Sequence, residues 1–210
     1  MDRFDGSTWN RRDAYDFFSH ISNPFYMVTF RQDVTNLYRF TKDNGLSFYY
    51  GMIWACTEAI NRVDAFRIAV RGGEPVRLPG RNPSFTDLKP GAEQFHIVTL
   101  ERNESIRAFC EEAATRSREQ TCFIDPTAES DGLIYFSCLP WVELTALTNE
   151  RDLSAPGAAD DSIPRIAWGR YAEENGRKIL GLSLEVNHRL IDGVHIGRFA
   201  EHLTACIDAL

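Results

Sequence analysis

The residues best suited to do chemistry together lie near the C-terminus, in the run Asn-His-Arg-Leu-Ile-Asp-Gly at positions 187–193. A neutral histidine imidazole can take up a proton near pH 7. Asp192 lies four residues after His188, in the turn before the last predicted helix, where a carboxylate can cap free backbone N–H groups. The run therefore makes His188 a candidate general base.

The strand before His188 determines where its ring points. Leu182, Leu184 and Val186 share one face by the two-residue period of a strand, and His188 has the same parity. We therefore expect the imidazole on the buried face at the strand end. Partial burial there favours the neutral form that a base requires.

Other interpretations fit the same residues. Spacing alone favours a histidine satisfied in the core, with Asp192 acting only as a helix cap. A metal site of His188, Asp192, His195 and His202 is a weaker hypothesis, because the last two lie seven residues apart on a helix that begins after His188. No metal is predicted. A serine hydrolase is disfavoured because the chain lacks Gly-x-Ser-x-Gly, and no cysteine has the neighbours of a nucleophile.

Alternating helix and strand patterns predict one α/β domain over residues 1–210. The predicted helices are 12–18, 33–42, 47–62, 105–117 and 193 to the end. The predicted strands are 25–31, a hairpin of 66–70 and 75–78, 84–88, 96–100, 132–139, 165–171 and 179–187. Residues 149–162 are rich in Asp, Ala and Ser and predict a mobile surface loop.

Composition narrows the possible partners. The net charge of −7 and the pI near 5.3 would repel a phosphate backbone, which argues against nucleic acid. No stretch is apolar enough to cross a membrane, and the N-terminal residues do not resemble a secretory signal, so we expect a cytoplasmic protein. The five cysteines show no C-x-x-C spacing and indicate neither a disulfide framework nor a zinc site.

The C-terminal run also carries a family resemblance. Residues 186–199 resemble the chloramphenicol acetyltransferase family, whose signature is His-His-x-x-x-Asp-Gly. Residues 9–13, Trp-Asn-Arg-Arg-Asp, resemble the family's Trp-x-Arg-Arg-Glu opening, and 137–142, Ser-Cys-Leu-Pro-Trp-Val, resemble its Ser-Ala-x-Pro-Trp-Val strand. Shorter matches at 48–49, 66–69 and 83–86 follow in order. Dihydrolipoamide acyltransferases share the signature, whereas the ordered set is more specific.

The resemblance implies a mixed β-sheet flanked by helices, in a two-layer sandwich. It implies acetyl-CoA as co-substrate, His188 as the base, and Asp192 as a structural residue paired with Arg11 from the N-terminal segment. A buried bidentate pair of this kind could fix the turn that aims His188. The resemblance further places Arg170 at the nucleotide of CoA. It also implies a homotrimer with active sites between subunits.

The chain departs from the family pattern at several positions. Asn187 replaces the first signature histidine and faces away from His188 by parity, so the base should survive the change. Ala146 stands where the family has an oxyanion-binding serine. Losing one such donor costs about 100- to 1,000-fold in rate. Water, a backbone N–H or the adjacent Thr145 could substitute.

The resemblance also assigns an acceptor pocket. Its residues here are Phe17, Phe18, Thr86, Phe95, Arg165 and Ala167. Arg165 replaces an apolar residue and Ala167 a threonine. A buried arginine needs a partner, which indicates either a polar or anionic acceptor or a salt bridge with Asp160 or Asp161.

The leading interpretation is therefore acetyl transfer from acetyl-CoA to a hydroxyl of chloramphenicol or a related small molecule. A second is a dihydrolipoamide-type acyltransferase, disfavoured because no lipoyl domain or Pro/Ala linker is present in the sequence. A third is a binding protein of the same shape without turnover, which Ala146 keeps open.

Overall fold

A computed structural model describes residues 9–155 and 157–210. Residues 1–8 lie outside the described residues, and so does Pro156, which belongs to the predicted 149–162 loop. The helices are α1 Arg12–Ser19, α2 Thr35–Asp43, α3 Phe48–Asn61, α4 Ile106–Glu119 and α5 Gly193–Asp208. The strands are β1 Phe25–Asp33, β2 Ile68–Arg71, β3 Glu74–Arg77, β4 Asn82–Asp87, β5 His96–Thr99, β6 Leu133–Leu139, β7 Arg165–Gly169, β8 Ala172–Glu174 and β9 Arg177–Asn187.

A mixed sheet organises the chain in the order β1-β9-β7-β6-β4-β5. Strand β6 runs parallel to both β4 and β7, whereas the remaining pairs, including β8 on β9, are antiparallel. Strands β2 and β3 form a separate hairpin. The mixed α/β class predicted from the sequence is confirmed.

The helices pack on one face of the sheet because their apolar stripes need cover. Leu182, Leu184 and Val186 of β9 are buried in the same core as α3 and α5. Helix α3 is apolar on nearly all sides and begins at Ser47, whose hydroxyl accepts from the backbone N–H of Tyr50. The helical face of β9 is therefore structural, and the opposite face is available for a site.

That opposite face is crossed by residues 142–149. A Cβ on Gly181 would lie 2.2 Å from the Leu144 carbonyl oxygen, and a Cβ on Gly169 would lie 2.4 Å from that of Val142. Only glycine allows this close backbone approach. The two glycines therefore seat the crossing segment directly on the sheet.

The structure corrects the predicted ends of two strands and the predicted start of one helix. The strand predicted over 165–171 ends at Gly169, since the N–H of Arg170 donates to the Val142 carbonyl (2.6 Å) and leaves the ladder. The chain then re-enters the sheet as β8, which was not predicted. Asp33 ends β1 instead of opening the helix; its carboxylate accepts from the N–H of Thr35 (2.9 Å).

A buried arginine, Arg81, connects several separate segments of the chain by hydrogen bonds. The guanidinium of Arg81, with no exposed surface, donates to backbone carbonyls of five residues, Phe66, Ile68, Asp131, Leu133 and Ser162. Burial lowers the pKa of Arg81 to about 10. This value is still well above neutral pH, so the side chain stays charged there. Arg81 therefore joins the β2 entry, the β6 entry and the segment before β7.

Candidate active site

His188 lies in the turn that follows β9. Its backbone N–H donates to the carbonyl of Pro24 (2.8 Å). Its ring stacks on Phe18, with centroids 4.0 Å apart, and makes a tilted contact with the Tyr26 ring at 4.4 Å. The side chain is 33% exposed. Strand β9 ends at Asn187, and the His188 ring lies at this strand end beside Tyr26, which pairs with Val186 in the sheet.

The Asp192 carboxylate joins His188 to the N-terminal segment. Its Oδ1 lies 3.0 Å from Nε2 of His188, and its Oδ2 accepts from Nη1 of Arg11. Nη2 of Arg11 donates instead to the His188 carbonyl (2.7 Å). The predicted Arg11–Asp192 pair is present, but it is not the expected bidentate pair, because the guanidinium bridges the carboxylate and the turn backbone.

Asp192 remains charged in this arrangement. The hydrogen bond from Arg11 is the main reason that the pKa of Asp192 lies below its ordinary value, and the charge of Arg11 adds to it. Asp192 is also the N-cap residue of α5. The carboxylate can therefore hold the His188 ring and stabilise a positive charge that forms on it.

His195 closes the turn from the helix side. Its Nδ1 accepts from the backbone N–H of Asp192 (2.9 Å), and burial lowers the pKa of His195, which keeps the ring neutral. Sequence reasoning considered His195 only as a metal ligand. The signal that it missed is the three-residue spacing from the N-cap, at which a side chain reaches back to the N-cap N–H.

The two neighbours of His188 anchor the turn. Asn187, 4% exposed, donates its amide hydrogens to the carbonyls of Ala159 (2.9 Å) and Asp161 (3.0 Å), and its Oδ1 accepts from the N–H of Arg189. The guanidinium of Arg189 donates to the Ala159 carbonyl and to Oδ1 of Asp160 (2.8 Å). The turn is therefore fixed to residues 159–161 from both sides.

Asp161 also connects residues 159–161 to side chains on the sheet. Its Oδ2 accepts from Arg151 and, at 3.1 Å, from Nη2 of Arg165, while Nε of Arg151 donates to Glu185 (2.6 Å). Asp161 is thus the Arg165 partner that the sequence left open, and Asp160 binds Arg189 instead. Sequence reasoning missed Arg151 and Glu185, which lie 34 residues apart in the chain.

A cavity of about 300 Å³ opens beside Arg165. Its lining residues are Ser84, Phe85, Thr86, Phe95, Ile97, Ile124, Glu129, Tyr135, Phe136, Ser137, Asn149, Glu150 and Arg165. Thr86, Phe95 and Arg165 of the predicted acceptor pocket thus come together. Phe17 is exposed, Phe18 contacts His188 and Ala167 is buried in β7; none of the three lines this cavity.

The crossing segment presents hydroxyl groups near Ala146. Thr145, Ala146 and Thr148 are exposed, while the N–H of Leu147 donates to the buried Ser183 hydroxyl (3.1 Å). Thr148 lines a second cavity of about 270 Å³ together with Tyr26, the ring that touches His188. Thr148 was not singled out from the sequence, although it has the same parity as Ala146 in an extended segment.

Arg170 lies at the other end of the sheet beside an aromatic cluster. It is exposed, and its Nη2 lies 3.8 Å from Glu143. Next to it, the Tyr171 ring packs edge-on against Tyr38 and Phe48. A lysine ammonium, that of Lys178, lies 4.4 Å from the centre of the Tyr171 ring.

Within residues 9–155 and 157–210, no group of three or more His, Cys, Asp or Glu side chains could hold a metal ion. In the same part of the chain no helix is long and apolar enough to span a membrane.

Comparison with solved structures defines the class of the fold. A chloramphenicol acetyltransferase superimposes with a TM-score of 0.85 at 21% identity, covering 98% of this chain and 99% of the other. The dihydrolipoamide acetyltransferase of Azotobacter vinelandii gives a TM-score of 0.66 at 18% identity, covering 93% of this chain and 85% of that one. The fold is that of a class of α/β acetyltransferases.

Sequence comparison resolves the family within this class. The family model described as chloramphenicol acetyltransferase matches residues 1–204. Chloramphenicol acetyltransferase 3 of Escherichia coli is 26% identical over 204 residues, which is 96% of this chain and 94% of the relative. The chloramphenicol acetyltransferase of Streptomyces acrimycini is 28% identical over 203 residues, 95% of this chain and 90% of the relative. The chain belongs to the chloramphenicol acetyltransferase family, as the sequence motifs predicted, and is an acetyltransferase.

Proposed function

We propose that the protein transfers an acetyl group from acetyl-CoA to a hydroxyl of chloramphenicol or a related small molecule, with His188 as general base. The observation that carries the proposal is the His188 ring, which contacts the rings of Phe18 and Tyr26 and has Nε2 within hydrogen-bond distance of Asp192. Family membership and the resemblance of residues 186–199 support the reaction.

The chemistry follows from these contacts. The ring nitrogen not engaged by Asp192 takes the proton from the acceptor hydroxyl as its oxygen attacks the thioester carbonyl. The tetrahedral intermediate then collapses, the C–S bond breaks, and the CoA sulfur receives the proton from the imidazolium. Asp192, held ionised by Arg11, stabilises the imidazolium between these steps.

The developing oxyanion requires a donor other than Ala146. Thr145 and Thr148 flank it on the exposed segment, and both carry hydroxyl groups. Thr145 is the candidate adjacent to the family's serine position. Thr148 is supported by the cavity that it shares with Tyr26 beside the base.

We place the nucleotide of CoA at Arg170. Its exposed guanidinium can pair with a phosphate. The small molecule acceptor is assigned to the 300 Å³ cavity, where Thr86, Phe95 and Arg165 meet. The exposed Phe17 is proposed to contact the acceptor only in the complete assembly. Ala167, which is buried and pairs with Ser137 of the cavity wall in the sheet, is proposed to shape that wall.

We further propose a homotrimer with active sites between subunits, working in the cytoplasm where acetyl-CoA is available. Among the described residues, none that contacts the His188 ring lines the acceptor cavity of the same chain. A neighbouring copy would bring its base to that cavity. Exposed Phe17, Trp141 and Val142 supply apolar surface for such a contact.

A thiol-release assay with acetyl-CoA and chloramphenicol tests the reaction. We expect turnover by the wild type and a loss of about 100- to 10,000-fold in His188→Ala. His20→Ala, which removes an exposed histidine, is the matched control and should keep the wild-type rate. Binding of chloramphenicol and acetyl-CoA with no thiol release would indicate a binding protein. Acetyl transfer to dihydrolipoamide consumes one thiol for each CoA thiol released, so it is followed by chromatography of the remaining acetyl-CoA. Consumption of acetyl-CoA with dihydrolipoamide and not with chloramphenicol would point to the dihydrolipoamide-type activity.

A further inference from the structure

The acceptor cavity has one strongly polar wall. Arg165 is the only cation among the described residues that line it, and it faces an aromatic group of Phe85, Phe95, Tyr135 and Phe136. Its guanidinium carbon lies 5.7 Å from the centre of the Tyr135 ring. An arginine in such a wall favours acceptors that can hydrogen-bond to its N–H groups over acceptors that cannot.

The Arg165 guanidinium is held in place but incompletely bonded. Its Nη1 donates to the carbonyl of Glu150 and its Nη2 to Asp161 (3.1 Å), and the side chain is 15% exposed. Its Nε is buried and has no hydrogen-bond partner among the described residues. Each terminal nitrogen carries two hydrogens and uses only one of them in these bonds, so a second N–H on Nη1 and on Nη2 would favour a ligand oxygen at this wall over a hydrocarbon group.

The charges around Arg165 favour an uncharged oxygen. Asp161 already pairs with the guanidinium, and Glu129 and Glu150 line the same cavity. The Glu129 carboxylate accepts from the Tyr135 hydroxyl (2.8 Å) and so stays within the wall. A carboxylate ligand would meet two like charges for one cation that is already paired.

We infer that Arg165, positioned by Asp161, is a specificity-determining residue of the acceptor cavity, and that the acceptor presents an uncharged oxygen to it, such as an amide carbonyl. The inference rests on the proposed function and extends it to the class of acceptor. Acceptors of this class are alcohols that carry a neutral hydrogen-bond acceptor away from the reacting hydroxyl.

Three matched alcohols test the inference: benzyl alcohol, 4-(hydroxymethyl)benzamide and 4-(hydroxymethyl)benzoate. Thiol release gives kcat/KM for each with the wild type, Arg165→Met and Arg165→Lys. In the wild type we expect the amide to exceed benzyl alcohol by about ten- to a hundredfold, which is the range for pairing a buried donor. The benzoate should fall below the amide.

In Arg165→Met the preference for the amide over benzyl alcohol should fall to near one. Arg165→Lys should keep a reduced preference, because an ammonium still donates but lacks the fork. Arg116→Met removes an exposed arginine on α4 and should keep the wild-type preference. An unchanged preference in Arg165→Met, or a benzoate better than the amide in the wild type, would overturn the inference.

Ligand-observed NMR titration of the same alcohols separates this inference from the proposed function. If no alcohol releases thiol, yet the amide binds more tightly than benzyl alcohol and only Arg165→Met loses that difference, then the reaction is wrong and the selectivity is right. Equal binding of the two alcohols by the wild type refutes the selectivity.

Discussion

Asn187→Asp tests whether the anchoring of the turn positions the base. The substitution keeps the size of the side chain and an oxygen that can accept from the N–H of Arg189. It removes the two N–H donors that now bind the carbonyls of Ala159 and Asp161. It also places a carboxylate oxygen against carbonyl oxygens in a site that is 4% exposed.

The expected loss of stability follows from the groups left without a hydrogen-bond partner. The Asp161 carbonyl loses its amide donor and the new carboxylate oxygen that replaces the amide has none, at about 1–3 kcal/mol each, so the substitution costs about 2–6 kcal/mol. The Ala159 carbonyl keeps its hydrogen bond from Arg189. For a chain of this size 1 kcal/mol corresponds to about 2–4 °C in Tm, which gives a decrease of about 5–20 °C. Thermal unfolding at one fixed protein concentration measures this decrease.

The kinetic effect should fall on kcat. Asn187 immediately precedes His188, and a displacement of about 1 Å at a catalytic group can cost about 100-fold in rate. We expect kcat to fall at least tenfold, with little change in KM for acetyl-CoA, because the Arg170 end of the sheet is not touched. Asn175→Asp adds the same charge in an exposed turn and should leave Tm and kcat near wild type.

Two results would refute this reasoning. A Tm within 2 °C of the Asn175→Asp control would show that the two amide hydrogen bonds contribute nothing. A large decrease in Tm with an unchanged kcat at low temperature would show that Asn187 is structural only and does not position His188.

Three further predictions concern other parts of the molecule. Arg81→Lys, which cannot reach all five carbonyls, should lower Tm by about 10–15 °C; exposed Arg116→Lys should not, and equal melting would contradict the role of Arg81. Burial lowers the pKa of His195 from 6.5, so the contribution of this cap is complete above pH 6.5 and fades as pH falls through the folded value. His195→Asn keeps an acceptor at every pH; its urea midpoint should fall less than that of the wild type between pH 7 and pH 5, and parallel midpoints would argue against the cap. Gly181→Ala should displace the crossing segment and lower both Tm and kcat, and a wild-type thiol-release rate would show that the segment tolerates the shift.

Local signals in the sequence predicted most of the elements. Ser47 caps its helix as expected, and the helix predicted from about Ser105 begins there with Ser105 as its cap, because a cap depends on residues three positions apart. The β2–β3 hairpin depends on its own turn. By contrast, the departure of Arg170 from its strand is caused by the carbonyl of Val142, which lies 28 residues earlier in the chain, and no local pattern contains that information.

The candidate site was predictable to a similar depth. The Arg11–Asp192 contact came from the family resemblance, since 181 residues separate the two. The contacts of the His188 ring with Phe18 and Tyr26 were not foreseen, because parity along a strand does not identify the side chains that other segments bring to its end. The network of Arg151, Asp161 and Glu185 joins separate segments of the chain, so neither Arg151 nor Glu185 could be distinguished in the sequence from an ordinary surface charge.

The glycines beneath the crossing segment bear on how such a site can diversify. Gly169 and Gly181 hold that segment through backbone atoms, at Val142 and Leu144, and not through its side chains. The exposed positions just beyond, 145, 146 and 148, are therefore free to change identity without disturbing the sheet. A lineage can lose a hydroxyl at one of these positions and acquire one at another while the scaffold stays the same. Combinatorial libraries for altered acceptors would tolerate most substitutions at these three positions and few at the glycines.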